Sequence, residues 1–137
     1  MRKRKKKNEN YKKNIKLINT SSAIAATAVE RHSMIARNIA HADTPGYRTQ
    51  DLRSFVESYR EVSSSGLRAT RGNHAFGAHR SLDLTPEIVR DTPVAPNGNS
   101  VSLEHEMVRM AENRHQHELA LSVYRSSMNI IRTSLGR

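Results

Sequence analysis

The stretch from Ala36 to Arg48, ARNIAHADTPGYR, constrains this chain most, because it ends an amphipathic segment and reverses the chain within a few residues. Ahead of it, Ala25, Ala28, His32, Ile35, Ile39 and Ala42 recur at spacings of three and four, which places them on one stripe of a helix. Pro45 then removes a backbone donor and biases Thr44 away from helical geometry, while Gly46 permits the positive φ that a type II turn requires at its third position. The helix must stop there. Tyr47 follows at once, placed to lie back over the last turn. A flanking row, Val29, Ser33, Ala36 and Ala40, lets another helix approach closely on that side.

The second organising pattern lies at the other end. Leu103, Met107, Met110, Arg114, His117, Leu121, Tyr124, Met128, Ile131 and Leu135 form one heptad register, and eight of these ten are apolar or Tyr. That is the seam of a coiled-coil helix. Its start is expected near Ser102, with Glu104 and Glu106 opposing the positive end of the helix dipole. Val108, Ala111, Ala120, Val123 and Ile130 widen the stripe beyond what one partner helix covers, so further partners are implied.

Between these segments the periodicity fails. Phe55, Val56, Tyr59 and Val62 suggest a turn or two of helix ended by Ser63-Ser64-Ser65-Gly66, and Gly72-Asn73 marks another turn. Ala75-Phe76 and Leu82-Asp83-Leu84 read as short extended pieces, Thr85-Pro86-Glu87 as a helix start. Pro93, Pro96 and Asn97-Gly98 give a turn-rich linker. The expected fold is therefore mainly α. Long terminal helices form a hairpin or coiled coil, and a loop-rich middle region has room for a short β-hairpin. The expected divisions are 1–20, a disordered basic leader; 21–48, the first helix and its turn; 49–99, the middle; and 100–137, the last helix.

Both ends of this pattern resemble a known family, the rod, hook and filament subunits of the bacterial flagellum. Asp43-Thr44-Pro45-Gly46-Tyr47, a basic residue and then Asp51-Leu52 are most similar to the proximal rod subunits. Asn97-Gly98-Asn99, Val101, Leu103, Glu106, Met107, Met110, Ala111 and Asn113 are similar to the same proteins. Arg37, His41 and His117 depart from the family pattern, as does the Lys-rich leader. The resemblance implies a structural subunit, passed through the flagellum's own export apparatus, whose terminal helices pack into a rod that crosses the periplasm and transmits torque. Its implied partners are copies of itself, other rod subunits, and the membrane-embedded base and export apparatus. The expected assembly interface comprises Ile35, Asn38, Ile39, Ala42, Thr44, Pro45, Gly46 and Tyr47 with Leu103, Met107, Met110, Leu121, Tyr124, Met128, Ile131 and Leu135. An open tubular assembly requires heterologous contacts, one face meeting a different face of the next copy.

A net charge of +10 points first to a nucleic-acid binder. Its location argues otherwise: residues 1–20 hold nine basic side chains against one acidic, leaving fourteen against twelve for the remainder. Every Lys lies at or before Lys16. A basic arm on nucleic acid or an anionic membrane is the rival reading, and a dimeric helical adaptor a third. The leader is a poor secretory signal, because Lys16, Asn19, Thr20, Ser21 and Ser22 interrupt what would be its apolar core. No stretch reaches transmembrane length.

Seven His invite a metal or catalytic reading. His105-Glu106 and His117-Glu118 each open an HExxH pattern, but Arg109 and Leu121 stand where its second His belongs. His115 and His117 point about 200° apart on a helix and cannot share an ion. There is no cysteine, phosphate loop or nucleophile elbow. Neither enzyme activity, cofactor, metal nor small-molecule substrate is expected. Asn38 reads either as a buried amide fixing helix register or as a solvated residue near a helix end. Tyr47 and Tyr124 read as anchors between subunits or as ordinary core, and Asp43 and Thr44 as satisfying backbone groups around the turn.

Overall fold

The computed structural model describes residues 2–64, 82, 84–89 and 92–136. Helix α1 runs Arg2–Ala40, strand β1 Gln50–Leu52, helix α2 Phe55–Ser64, strand β2 Pro86–Ile88 and helix α3 Leu103–Ser134. The two long helices pair antiparallel, bringing Asn38 beside Glu106 and Ala28 beside Asn113. The readings at Gly66, Gly72-Asn73, Ala75-Phe76 and Asp83 fall outside the described residues.

Residues 2–20, set apart in the sequence as a basic leader, are the opening turns of α1. Once a helix is nucleated and packed, each added residue gains a hydrogen bond, and Lys and Arg are good helix formers. Ser21, where the first helix is expected to begin, therefore does not start it. It is buried mid-helix, and its hydroxyl donates to the Ile18 carbonyl at 3.0 Å.

Helix α1 stops where the sequence requires. Tyr47 N donates to the Thr44 carbonyl at 3.3 Å across the turn, and Gly46 has φ of 74°. Thr85-Pro86-Glu87 starts no helix. Pro86 and Glu87 belong to β2, which pairs antiparallel with β1 in the register Gln50↔Ile88, Asp51↔Glu87, Leu52↔Pro86. A proline at the first position of an edge strand forfeits no ladder bond. Ser54 opens α2, its carbonyl accepting from Glu57 N and Ser58 N. Phe55 and Tyr59 stack one turn apart with centroids separated by 5.4 Å.

The seam between α1 and α3 is rotated from the expected one. On α3 the buried row is Glu106, Asn113, Ala120 and Ser127, one heptad apart, flanked by half-buried Met110, His117, Tyr124 and Ile131. The last four are expected seam residues. The other expected row is displaced: Leu103, Met107, Arg114 and Leu135 are exposed, Leu121 and Met128 half-buried. On α1 the row is Ser21, Ile24, Ala28, Arg31, Ile35 and Asn38, so His32 falls outside and is exposed. On the α3 side the line of contact is occupied by Ala120 and by polar side chains, with Ile35 buried on the α1 side, and the bulkier methionines and leucines of α3 are left at its edge. The row Val29, Ser33, Ala36 and Ala40 is exposed along its whole length.

Candidate functional site

At the end of the hairpin nearest the turn, polar side chains from α1, β1 and α3 join in one clasp. Asn38 lies at its centre with 0% exposure. Its Nδ2 donates to the Gln50 carbonyl at 2.8 Å and to Glu106 Oε2 at 3.1 Å. Its Oδ1 accepts from Gln50 N and from the Tyr47 hydroxyl, each at 3.2 Å. A side-chain amide offers two donors and two acceptor sites, and all four are used. Of the two sequence readings of Asn38, the buried amide tying one helix to the other is the observed one.

Charge is balanced in the same place. Arg109 bridges two carboxylates, Glu106 Oε1 at 3.3 Å and Asp51 Oδ2 at 2.9 Å, while Asp51 Oδ1 accepts from Arg31 Nε at 3.1 Å. Arg31 also donates to the carbonyls of Leu52 and Arg53, both at 3.0 Å. Two carboxylates therefore alternate with two guanidinium groups, and Glu106, 1% exposed, keeps a cationic partner one turn away on its own helix. A buried carboxylate without such partners would be strongly unfavourable.

Tyr47 closes the clasp from above, stacked on His41 with centroids 4.6 Å apart. Burial pushes its phenol above the ordinary range; the Arg37 guanidinium opposes that shift and the Glu106 carboxylate adds to it.

The linker before α3 does the work that the sequence reading gave to Asp43 and Thr44. Asn99 Nδ2 donates to the carbonyls of His41, Ala42 and Thr44 at 2.9, 2.7 and 2.9 Å, tying the linker to the turn that follows α1. Thr44 Oγ1 instead meets His41 Nδ1 at 3.2 Å, and Asp43 is exposed. Thr49 Oγ1 donates to the Ser100 carbonyl at 2.7 Å, and Ser100 N to the Tyr47 carbonyl at 3.1 Å. The two turns touch: Gly46 N donates to the Asn97 carbonyl at 3.0 Å, and a Cβ on Gly98 would lie 3.3 Å from Gly46 Cα.

The expected interface residues are thus divided. Ile35 and Asn38 are buried within the chain and Tyr47 is half-buried in the clasp; Ile39 and Ala42 are half-buried beside it. Thr44, Pro45, Gly46, Leu103, Met107 and Leu135 are exposed. Met110, Leu121, Tyr124, Met128 and Ile131 lie half-buried along α3. Sequence reasoning assigned no role to Thr49, Arg31 or Arg109, although Asp51, Asn99, Glu106 and Asn113 stood in its motifs. The periodicity of a buried carboxylate or amide at heptad spacing is the signal that would have found the last two. Asn113 Nδ2 donates to the Ala28 carbonyl at 2.8 Å, and its Oδ1 has no protein partner.

Among the described residues no three His, Cys, Asp or Glu side chains gather to hold a metal ion, and no helix is long and apolar enough to cross a membrane. The clasp's groups satisfy one another, which is the chemistry of a lock.

No protein-family model matches the chain. Individual proteins do. It is 31% identical over 118 residues to the flagellar basal body rod protein FlgB of Agrobacterium fabrum, covering 82% of this chain and 87% of that one. It is 36% identical over 95 residues to FlgB of Cereibacter sphaeroides, covering 66% and 73%. FlgB of Salmonella typhimurium is 28% identical over 108 residues, covering 72% and 78%. With terminal helices, turn and clasp arranged as described, and likeness of this extent along most of both chains, the protein belongs to the FlgB family of flagellar basal body rod proteins.

Proposed function

We propose that this chain is a subunit of the proximal rod, that it assembles through its terminal helices into a helical tube, and that the tube carries torque across the periplasm. Its neighbours are copies of itself, other rod subunits, and the membrane-embedded base with the export apparatus through which it leaves the cell. The role is structural rather than catalytic, with no cofactor, small-molecule substrate or nucleic acid.

One observation supports this reading above the others. The hairpin is locked at its turn by the Asn38–Glu106–Arg109–Asp51–Arg31 network, yet its helices carry Met107 and Leu119, 62% and 58% exposed. Large apolar side chains left outside a two-helix pair are covered in a bundle of many copies. The test is deletion of the gene followed by complementation. Loss of motility and of the rod, restored by the intact chain, is expected. Basal bodies that assemble and turn without it would overturn the proposal.

A further inference from the structure

We propose that one copy of this chain docks the outer ridge of its α3 into a cleft beside the α1–α3 seam of the next copy, a head-to-tail contact. The inference rests on the rod reading and specifies which surfaces meet.

The cleft has a volume of about 540 Å³. Val29 of α1 and Met107, Met110 and Ala111 of α3 supply its apolar walls, and His32 and Arg114 stand at its rim. Val29 and Met107 are 56% and 62% exposed, so the cleft is an apolar surface open to solvent. Its α3 wall, Met107 to His117, spans roughly 15 Å at 1.5 Å per residue.

The ridge lies on another strip of α3. Val108, Leu119 and Ile130 are all exposed and stand eleven residues apart. Eleven residues make just over three turns, so the three project on nearly one line at intervals of roughly 16 Å. One interval matches the cleft. The exposed Glu104 and Glu112 lie on this strip, four residues either side of Val108. They are complementary in sign to Arg114, whose side chain is 79% exposed while its Nε pairs with Glu118. At about 100° per residue, the ridge and the Met107–Ala111 wall face directions about 100° apart around α3. They are separate strips of one subunit, so a copy that offers its ridge to one neighbour and its cleft to another makes a head-to-tail contact, and repetition of that contact builds an open assembly. A second copy is therefore the occupant: this chain carries both the cleft and a ridge that fits its length and charge.

The chain has no cysteine, which makes the test clean. Met107→Cys is combined with Leu119→Cys in one variant and with Ile130→Cys in another, and basal bodies are isolated and oxidised. Within one helix these pairs stand roughly 18 and 35 Å apart, beyond the reach of a disulfide, so any bridge joins two molecules. A ladder of dimers and higher species from at least one double variant, with each single variant remaining monomeric, is expected. Single variants that dimerise as fully as the doubles, or doubles that stop at dimers with no higher species, would show a closed two-fold contact and overturn the proposal. So would doubles that remain monomeric in basal bodies that contain them, or that bridge to a different protein. Absence of the unaltered chain from basal bodies would remove the rod reading itself, and the proposed occupant with it.

Discussion

Asn38 and Glu106, 68 positions apart in the chain, meet side chain to side chain at 3.1 Å with almost no solvent access to either. That bond joins the last turn of α1 to the first turn of α3. Its partners, Gln50, Tyr47 and Arg109, extend it into β1, the reversal and the ion-pair chain.

Replacing Asn38 by Ala strands the buried Glu106 oxygen and the Gln50 backbone groups together. Stranding one buried group costs on the order of 1 to 3 kcal/mol, so the urea midpoint should fall clearly. In a double-mutant cycle with Glu106→Gln, the two changes should be non-additive by roughly 0.5 to 3 kcal/mol, as for residues sharing one network. Strict additivity would contradict direct coupling.

Asp51→Asn removes the carboxylate between Arg31 and Arg109 and leaves two guanidinium groups facing an amide. A loss of about 1 to 3 kcal/mol is expected for a partly buried charged network, with a weaker salt dependence than an exposed pair would show. Chemical denaturation at low and high salt measures both.

Gly46→Ala and Gly98→Ala should differ. Both positions have positive φ, 74° and 81°, where an L side chain costs roughly 1 to 2 kcal/mol. A Cβ on Gly46 meets nothing within 4 Å, whereas one on Gly98 presses on the Gly46 backbone. The Gly98 variant should therefore be the less stable in thermal melts.

Tyr47 sets an alkaline limit. Its folded pKa is raised, chiefly by burial. The folded chain thus holds the phenolic proton more tightly than the unfolded chain, whose Tyr titrates at about 10. This contribution is fully present below that value and is lost as pH climbs through the folded one. Tyr47→Phe should be less stable near neutrality, yet lose less on going to pH 11 than the unaltered chain.

Ala120 and Met107 test the observed seam against the expected one. Ala120→Leu inserts bulk where only 4% of the residue is exposed, at a cost of about 1 to 3 kcal/mol. Met107→Ser on the outside should change subunit stability by no more than about 0.5 kcal/mol. Equal destabilisation by the two would restore the register drawn from hydrophobicity.

That register shows what the sequence made legible. Pro45, Gly46 and Ser102 act through local backbone chemistry, so their turn and cap could be read directly. Met107 and Leu121 were assigned to the seam because apolar side chains usually fill one, but Ala120, Ser127, Asn113 and Glu106 occupy the contact. Polar side chains are admitted there by partners distant in the chain, such as Asn38 and the Ala28 carbonyl, which no local pattern reveals. Pro86 was read as a helix start for the same reason: its pairing with Leu52 is non-local.

Leu52 and Pro86 stand opposite each other where β1 meets β2. The chain that follows Leu52 and the chain that leads to Pro86 therefore leave and rejoin the sheet at a single doorway. Lengthening such an excursion twofold costs only about 0.6 kcal/mol of closure entropy. New material can be grafted at this threshold, giving the chain a different flank while the paired α1 and α3 keep their spacing.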